Sequence, residues 1–288
     1  MPYTSLHTPV LLQEVADWLE IKPGMVVIDG TLGDGGHSQM FCELVGDGGQ
    51  VIGIDQDPEA VKLASERLVQ FKNFHAVHGN FVDMPSLVTA KPDRILMDLG
   101  WSTTQFMVRG RGFSFLTNEP LDMRFDPTSD RPTAAEIVNT YTHEELVRIF
   151  RRFGEEPRAD KIATAICEAR KEKPINTTQE LAFTVMKVAP RTGKIHPATQ
   201  VFQSLRIAVN DELEILHTAL ERITEWMPSG ARVAVITFHS LEDRIVKQFV
   251  AGRKDCAALT KKPIVPTEAE IQQNPRSRSS KLRVFQKV

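Results

Sequence analysis

An apolar run, MVVID, ends on Asp29, and just beyond it the chain places three glycines in four positions: Gly33, Gly35 and Gly36. A helical pattern, HSQMFCELV (37–45), and a second apolar run, QVIGID (50–55), follow directly. Strands that are apolar throughout are buried on both faces, and strands spaced by helices pair parallel. This unit therefore commits the chain to a parallel sheet covered by helices, with a crevice at the carboxyl ends of its strands.

The neighbouring sequence extends the pattern. VLLQEVADWL (10–19) has helical spacing, and Pro58 opens a helix over 58–71. Short strands are expected at 73–77 and at RILMDL (94–99). Beyond residue 105 the periodicity is almost purely helical, through TAAEIVNT, HEELVRIFRRF, RADKIATAICEARK, TQELAFTVMKV and TQVFQSLRIAV. The α/β alternation then resumes with a helix near 211–227, a strand at ARVAVITF (231–238), a helix at 240–252 and a last strand near KLRVFQKV. The expected organisation is an α/β domain over 1–105 and 211–288, interrupted by a helical domain over 106–210. The segment 253–280, rich in Lys, Pro, Arg and Ser, reads as one long loop, a kind usually functional or mobile.

Composition narrows the function classes. No window approaches 18 uncharged apolar residues and the N-terminus lacks a signal-peptide layout, so a cytoplasmic protein with no membrane partner is expected. Cys42, Cys167 and Cys256 form no CxxC pair, which argues against a disulfide framework and against a zinc site; no metal is expected. Net charge is only −2, yet it is unevenly spread. Residues 1–105 carry 6 Lys/Arg against 14 Asp/Glu, whereas residues 245–288 carry 10 against 3. The C-terminal part is therefore either a surface for a polyanion or a solvated tail.

The glycines bear on the ligand. A strand, a glycine turn and a helix, followed by a second strand ending in Asp55, form the arrangement that binds an adenosine-containing cofactor. The glycines let backbone approach the ligand, and the acid accepts hydrogen bonds from ribose hydroxyls. The spacing departs from GxGxxG and puts Asp34 inside the turn, where it would repel a pyrophosphate. That favours S-adenosylmethionine (SAM) over a dinucleotide, a simple tight turn being the third reading. Asp98, at the end of the expected fourth strand, falls in the same crevice, and DLGW sets Trp101 three residues on. An acceptor for an exocyclic amine beside an aromatic plate suits methylation of a nucleobase nitrogen. A turn-capping Asp98 and a core Trp101 is the structural alternative.

The motifs HTPVLLQEV, DGTLGDGGHS, IDQDP, HGNF, MDLGWSTTQ, RGFSF, PLDMRFD, HPATQVFQSLRIAVNDEL, FHSLEDRIVK and NPRSRSSKLR occur in this order from His7 to Arg283. On them the chain resembles the bacterial 16S rRNA cytosine-N4 methyltransferase family, also called MraW or RsmH. The resemblance implies a class I SAM-dependent methyltransferase, Rossmann-like, with an all-helical insertion that recognises RNA. It implies transfer of a methyl group to N4 of a cytosine in the decoding region, at the peptidyl-tRNA site, of 16S rRNA within the small ribosomal subunit or an assembly intermediate. Matching the motifs, Gly33, Gly35, Gly36, His37, Asp55, Phe81, Asp98 and Gln105 would hold SAM, and Asp98 and Ser102 would stand at the target base; Trp101, which the resemblance does not explain, is a candidate stacking surface for that base on its chemistry alone. Relatives commonly read DLGxSSPQLD where this chain reads DLGWSTTQFM, departing at Thr103, Thr104 and Met107, with an unusually large residue at 101.

Several residues carry weaker expectations. Arg276, Arg278, Lys281 and Arg283 are candidates for phosphate contacts. Ser240 with Asp243 suggests a helix cap, His239 is a candidate crevice group, His196, in a loop before Pro197, is given a functional role by the resemblance alone, and Arg206, Asn210 and Glu212 suggest salt bridging. Two other readings compete with rRNA methylation: an N-methyltransferase for a protein or small molecule, and a SAM-binding small-subunit assembly factor without activity.

Overall fold

The apolar runs form parallel strands: β1 (Val26–Asp29), β2 (Gln50–Asp55), β3 (Phe74–His78), β4 (Arg94–Asp98) and β5 (Arg232–Thr237). The sheet is completed by β6 (Cys256–Ala258) and β7 (Lys281–Lys287), with β7 antiparallel to both neighbours, in the order β3-β2-β1-β4-β5-β7-β6. The structure is a computed structural model and describes residues 9–100, 110–190 and 196–288.

The chain divides into two compact units, one comprising Met1–Trp101 with Leu213–Val288 and the other Ser102–Glu212. In the first, side chains alternate across the pleat and build two apolar layers. Val27, Val51, Leu96, Ala234 and Ile236 belong to one, with residues of helices α1 (Leu12–Leu19) and α2 (Gly36–Val45). Ile28, Ile52, Ile95, Met97, Val233 and Val235 belong to the other, together with Leu216, Leu220 and Ile223. Runs without polar alternation are thus buried on both faces, as central parallel strands must be. The strand order reverses between β1 and β4, which opens a crevice at their carboxyl ends. Helix α3 (Pro58–Arg67) starts on Pro58 with Asp57 accepting the Glu59 N–H, and α4 (Met84–Leu87) is a single turn.

The second unit carries helices α5 (Ala134–Thr140), α6 (His143–Gly154), α7 (Ala159–Glu172), α8 (Thr178–Val188) and α9 (Thr199–Asn210). Capping boxes start three of them, at Thr133/Glu136, Thr142/Glu145 and Thr177/Glu180. PLDMRFD is a tied loop. Asn210 donates to Met123 O at 2.8 Å and accepts from the Phe125 N–H at 2.9 Å, while Asp122 grips Arg124. Arg206 and Glu212 form a two-bonded ion pair at 2.8 Å, so Asn210 ties a loop while its neighbours carry the salt bridge.

Two expectations are corrected. The segment 253–280 is not one loop: it contains β6, helix α10 (Glu268–Gln273) and a 3-10 turn (Pro275–Ser279), and Ile264 bridges to Leu282. Three-residue strands and six-residue helices are too short to leave a period, so the Lys and Pro content masked them. The helix opened by Pro58 ends at Arg67, short of residue 71.

Candidate active site

Three acids stand at the crevice, one at the end of each of β1, β2 and β4. Asp29 is 1% exposed. Its carboxylate accepts the Ser38 hydroxyl at 2.7 Å and the Thr31 N–H at 3.3 Å, and burial pushes its pKa up to about 6. Thr31 also accepts the Asp98 N–H at 2.7 Å on its hydroxyl oxygen, tying the end of β4 to the turn after β1. Beyond β1 the ladder continues, with Gly30 N–H bonded to Leu96 O and Leu32 N–H to Ile54 O. The glycine turn is therefore suspended from strands on both sides.

Within that turn, Gly33 and Gly35 have φ of +51° and +76°, where a side chain is strained. Gly36 answers a different constraint, because a Cβ there would lie 2.4 Å from Pro9 Cγ. The close approach at Gly36 is thus to the protein's own chain. Gly33 donates its N–H to Asp55 Oδ2 at 2.8 Å, and Asp57 donates to Oδ1 at 2.9 Å. Two backbone N–H groups thus hold the Asp55 carboxylate in place at the end of β2. Phe81 opens a 3-10 turn (Phe81–Asp83), capped by Asn80, and its Cβ would lie 3.3 Å from a Cβ on Gly30. The half-buried ring thus belongs to the same end of the sheet.

His37 and Asp98 face each other on the opposite side of the turn. The His37 Nε2–H donates to Val10 O at 3.1 Å, and Nδ1 lies 4.0 Å from Asp98 Oδ2. Burial raises the Asp98 pKa to about 7, against the pull of the Gly100 N–H, which donates to Oδ1 at 3.1 Å; the nearby Asp29 and Glu242 charges add to the rise. A Cβ on Gly100 would sit 2.5 Å from the Phe238 ring, so the DLG and FHS motifs interlock.

The helix after β5 (Ser240–Ala251) is capped one residue earlier than expected. His239 Nδ1 accepts the Glu242 N–H at 3.4 Å, and Glu242 returns bonds to the Phe238 and His239 N–H groups at 2.8 and 3.3 Å. His239 therefore serves a cap, replacing the Ser240/Asp243 arrangement. Asp243 instead takes Arg283 at 2.6 and 3.3 Å and Lys281 at 3.6 Å. Burial raises its carboxyl, but the two cations outweigh that and hold it below its ordinary value. Arg276 and Arg278 lie exposed on the 3-10 turn before β7. Trp101, Ser102 and Gln105, with Thr103, Thr104 and Met107, lie outside the described residues.

The model of the MraW methylase family matches residues 4–288, nearly the whole chain. The chain belongs to the MraW methylase family. It is 45% identical to the ribosomal RNA small subunit methyltransferase H of Maridesulfovibrio salexigens, over 98% of this chain and 96% of that protein. The enzyme of the same name from Coprothermobacter proteolyticus is 46% identical, with 98% and 96% covered, and that from Thermomicrobium roseum 44%, with 100% and 95% covered.

Within this MraW methylase the fold is the class I methyltransferase sheet, seven strands with β7 reversed. The crevice fits SAM on its own chemistry. It offers an acid at the end of β2, a glycine turn of left-handed backbone, and a half-buried aromatic ring beside β1. Among the described candidates, Gly33, Gly35, Gly36, His37, Asp55, Phe81 and Asp98 are all brought to this end of the sheet. Asp29, Thr31 and Ser38 were not singled out from sequence, although an acid ending an otherwise apolar run needs buried partners, and that signal was available.

Proposed function

We propose that this chain transfers the methyl group of SAM to the exocyclic N4 of a cytosine in the decoding region of 16S rRNA, in the small ribosomal subunit or an assembly intermediate. The observation that carries the reading is the end-to-end similarity to enzymes named for small-subunit rRNA methylation, joined to a crevice whose β4 acid sits beside the cofactor turn. When bound, SAM supplies an electrophilic methyl group and leaves as a thioether. Asp55 accepts the ribose hydroxyls, and Phe81 flanks the adenine.

Asp98 acts at the base. The N4 lone pair of cytosine is delocalised into the ring, so a positioned acceptor for one N–H aligns the nitrogen for attack. The N4–C bond forms as the S–CH3 bond breaks, and the ionised Asp98 or solvent takes the proton. Trp101 offers a stacking surface for the unstacked base and Ser102 a neighbouring hydroxyl. The helical unit contributes RNA recognition, and the cationic C-terminal segment contacts phosphates. Among the described residues no helix is long and apolar enough to cross a membrane.

The decisive experiment incubates the protein with labelled SAM and unmodified small subunits, followed by nucleoside analysis. N4-methylcytidine is expected. Label in 5-methylcytidine sinks the reading, and subunit binding without label makes the chain an assembly factor.

A further inference from the structure

Gly30 donates its N–H to Leu96 O, and a parallel ladder in that register would next send the Asp98 N–H to Gly30 O. That N–H goes elsewhere. Beyond Gly30 the chain stays with β2, where Leu32 N–H bonds to Ile54 O, and parts from β4 just where Asp98 stands. A backbone N–H at a half-buried residue still needs an acceptor. The Thr31 side chain supplies one, its hydroxyl oxygen receiving the Asp98 N–H at 2.7 Å. One side chain thus replaces a rung of the sheet at the residue that carries the β4 acid.

Thr31 is itself held from below. Its N–H donates to Asp29 Oδ1 at 3.3 Å, and the other oxygen of that carboxylate accepts the Ser38 hydroxyl at 2.7 Å. Ser38 follows His37, whose Nδ1 lies 4.0 Å from Asp98 Oδ2. Asp29, almost wholly enclosed, is too deep to meet a substrate, and it anchors both chain segments that flank Asp98. Threonine suits the task, because branching at Cβ restricts χ1 and keeps the hydroxyl in one direction.

We propose that Thr31 is a positioning residue for methyl transfer: its hydroxyl, anchored through Asp29, sets where the Asp98 carboxylate meets the target amine. The proposal rests on the reading of Asp98 as the acceptor at N4 and deepens it by naming what holds that acid in place. Misplacing a reacting group by about 1 Å costs up to about 100-fold in rate. A lost rung here should therefore appear in turnover and not in affinity for the substrate.

The test uses the full chain with labelled SAM and unmodified small subunits. Thr31→Val, which keeps the shape and removes the hydroxyl, is expected to lower kcat by about tenfold while KM for subunits is unchanged. SAM should still bind it stoichiometrically in calorimetry, which shows that the variant is folded. Thr31→Ser, which returns the hydroxyl, should recover most of the loss. In an Asp98→Asn background the same Thr31→Val should change kcat by less than about twofold, because the residue acts through the acid. A Thr31→Val enzyme with wild-type kcat overturns the proposal, as does a loss that Thr31→Ser fails to recover. So does an equal loss with and without the Asp98 carboxylate, or a Thr31→Val chain that no longer binds SAM, since the hydroxyl would then serve the fold alone. Asp98→Asn as active as wild type removes the reading of Asp98 and this proposal with it, whereas full activity in Thr31→Val beside a slow Asp98→Asn removes this proposal only.

Discussion

The backbone N–H of Gly33 donates to Asp55 Oδ2 at 2.8 Å, joining the turn after β1 to the carboxyl end of β2. One side chain therefore shapes the glycine turn and presents acceptors to the ribose. Removing the Asp55 carboxylate should both release the turn and abolish charge-assisted bonds to the diol. Asp55→Ala is expected to weaken SAM binding by about 1.5 to 3 kcal/mol, measured by calorimetry. A folded variant with unaltered SAM affinity would remove Asp55 from the site.

Asp98 sets the pH dependence. Its folded pKa, about 7, lies above the ordinary 3.8, so the fold favours the protonated form. The stability contribution of that form is complete below pH 3.8 and is lost as pH rises through about 7. Asp98→Asn, whose amide oxygen still accepts the Gly100 N–H, should be more stable than wild type at pH 8, by about 1 to 4 kcal/mol. Thermal melts should show that margin narrowing at pH 5. Catalysis needs the ionised form, so kcat/KM should climb with pH and level above about 7, and Asp98→Asn should lower it by about 100-fold or more. A flat profile from pH 5.5 to 8.5 would take the proton-accepting role from Asp98.

The parts of this site that were legible in the sequence are those where one residue type answers one constraint. Three glycines in four positions signalled a turn of unusual backbone, and two of them, Gly33 and Gly35, do have positive φ. Apolar runs without alternation signalled strands buried on both faces, and Val27 and Ile28 lie on opposite layers with no exposed surface. What was not legible depends on partners distant in the chain. Gly36 is dictated by Pro9, and Gly100 by Phe238. The sequence points to Ser240 as the cap of the helix after β5 because hydroxyls are the usual caps, yet a histidine Nδ1 lone pair can also accept a backbone N–H. Arg283 looked like a cation for RNA, and no local pattern announces that Asp243, 40 residues earlier, meets it through two bonds.

The interlock of DLG with FHS gives a packing prediction. A methyl group at residue 100 would overlap the Phe238 ring at 2.5 Å and approach Asp98 Oδ1 at 3.0 Å. Gly100→Ala should destabilise the protein by about 1 to 3 kcal/mol, the usual cost of overpacking. Combining it with Phe238→Leu should recover part of that loss if the clash with the ring is the cause. Equal and additive losses in denaturant titrations of the single and double variants would show that the two motifs are not coupled.

The four C-terminal cations should separate into two pairs. Arg276 and Arg278 are exposed on the 3-10 turn, whereas Arg283 is held by Asp243 with side chains only 12% and 14% exposed, and Lys281 approaches the same carboxylate. Phosphate contacts release counterions, and each adds a little under one to the slope of log affinity against log salt. Replacing Arg276 and Arg278 with Ala should therefore weaken RNA association and flatten that slope by roughly 1.5. SAM binding should be unaffected. Arg283→Ala leaves a mostly buried carboxylate short of its main partner, and should lower stability by about 3 kcal/mol. Its effect on the salt slope should be smaller than that of either exposed arginine. A salt slope that responds to Arg283→Ala and ignores Arg276→Ala and Arg278→Ala would mean that RNA phosphate competes with Asp243 for the guanidinium, and would move the RNA surface onto β7.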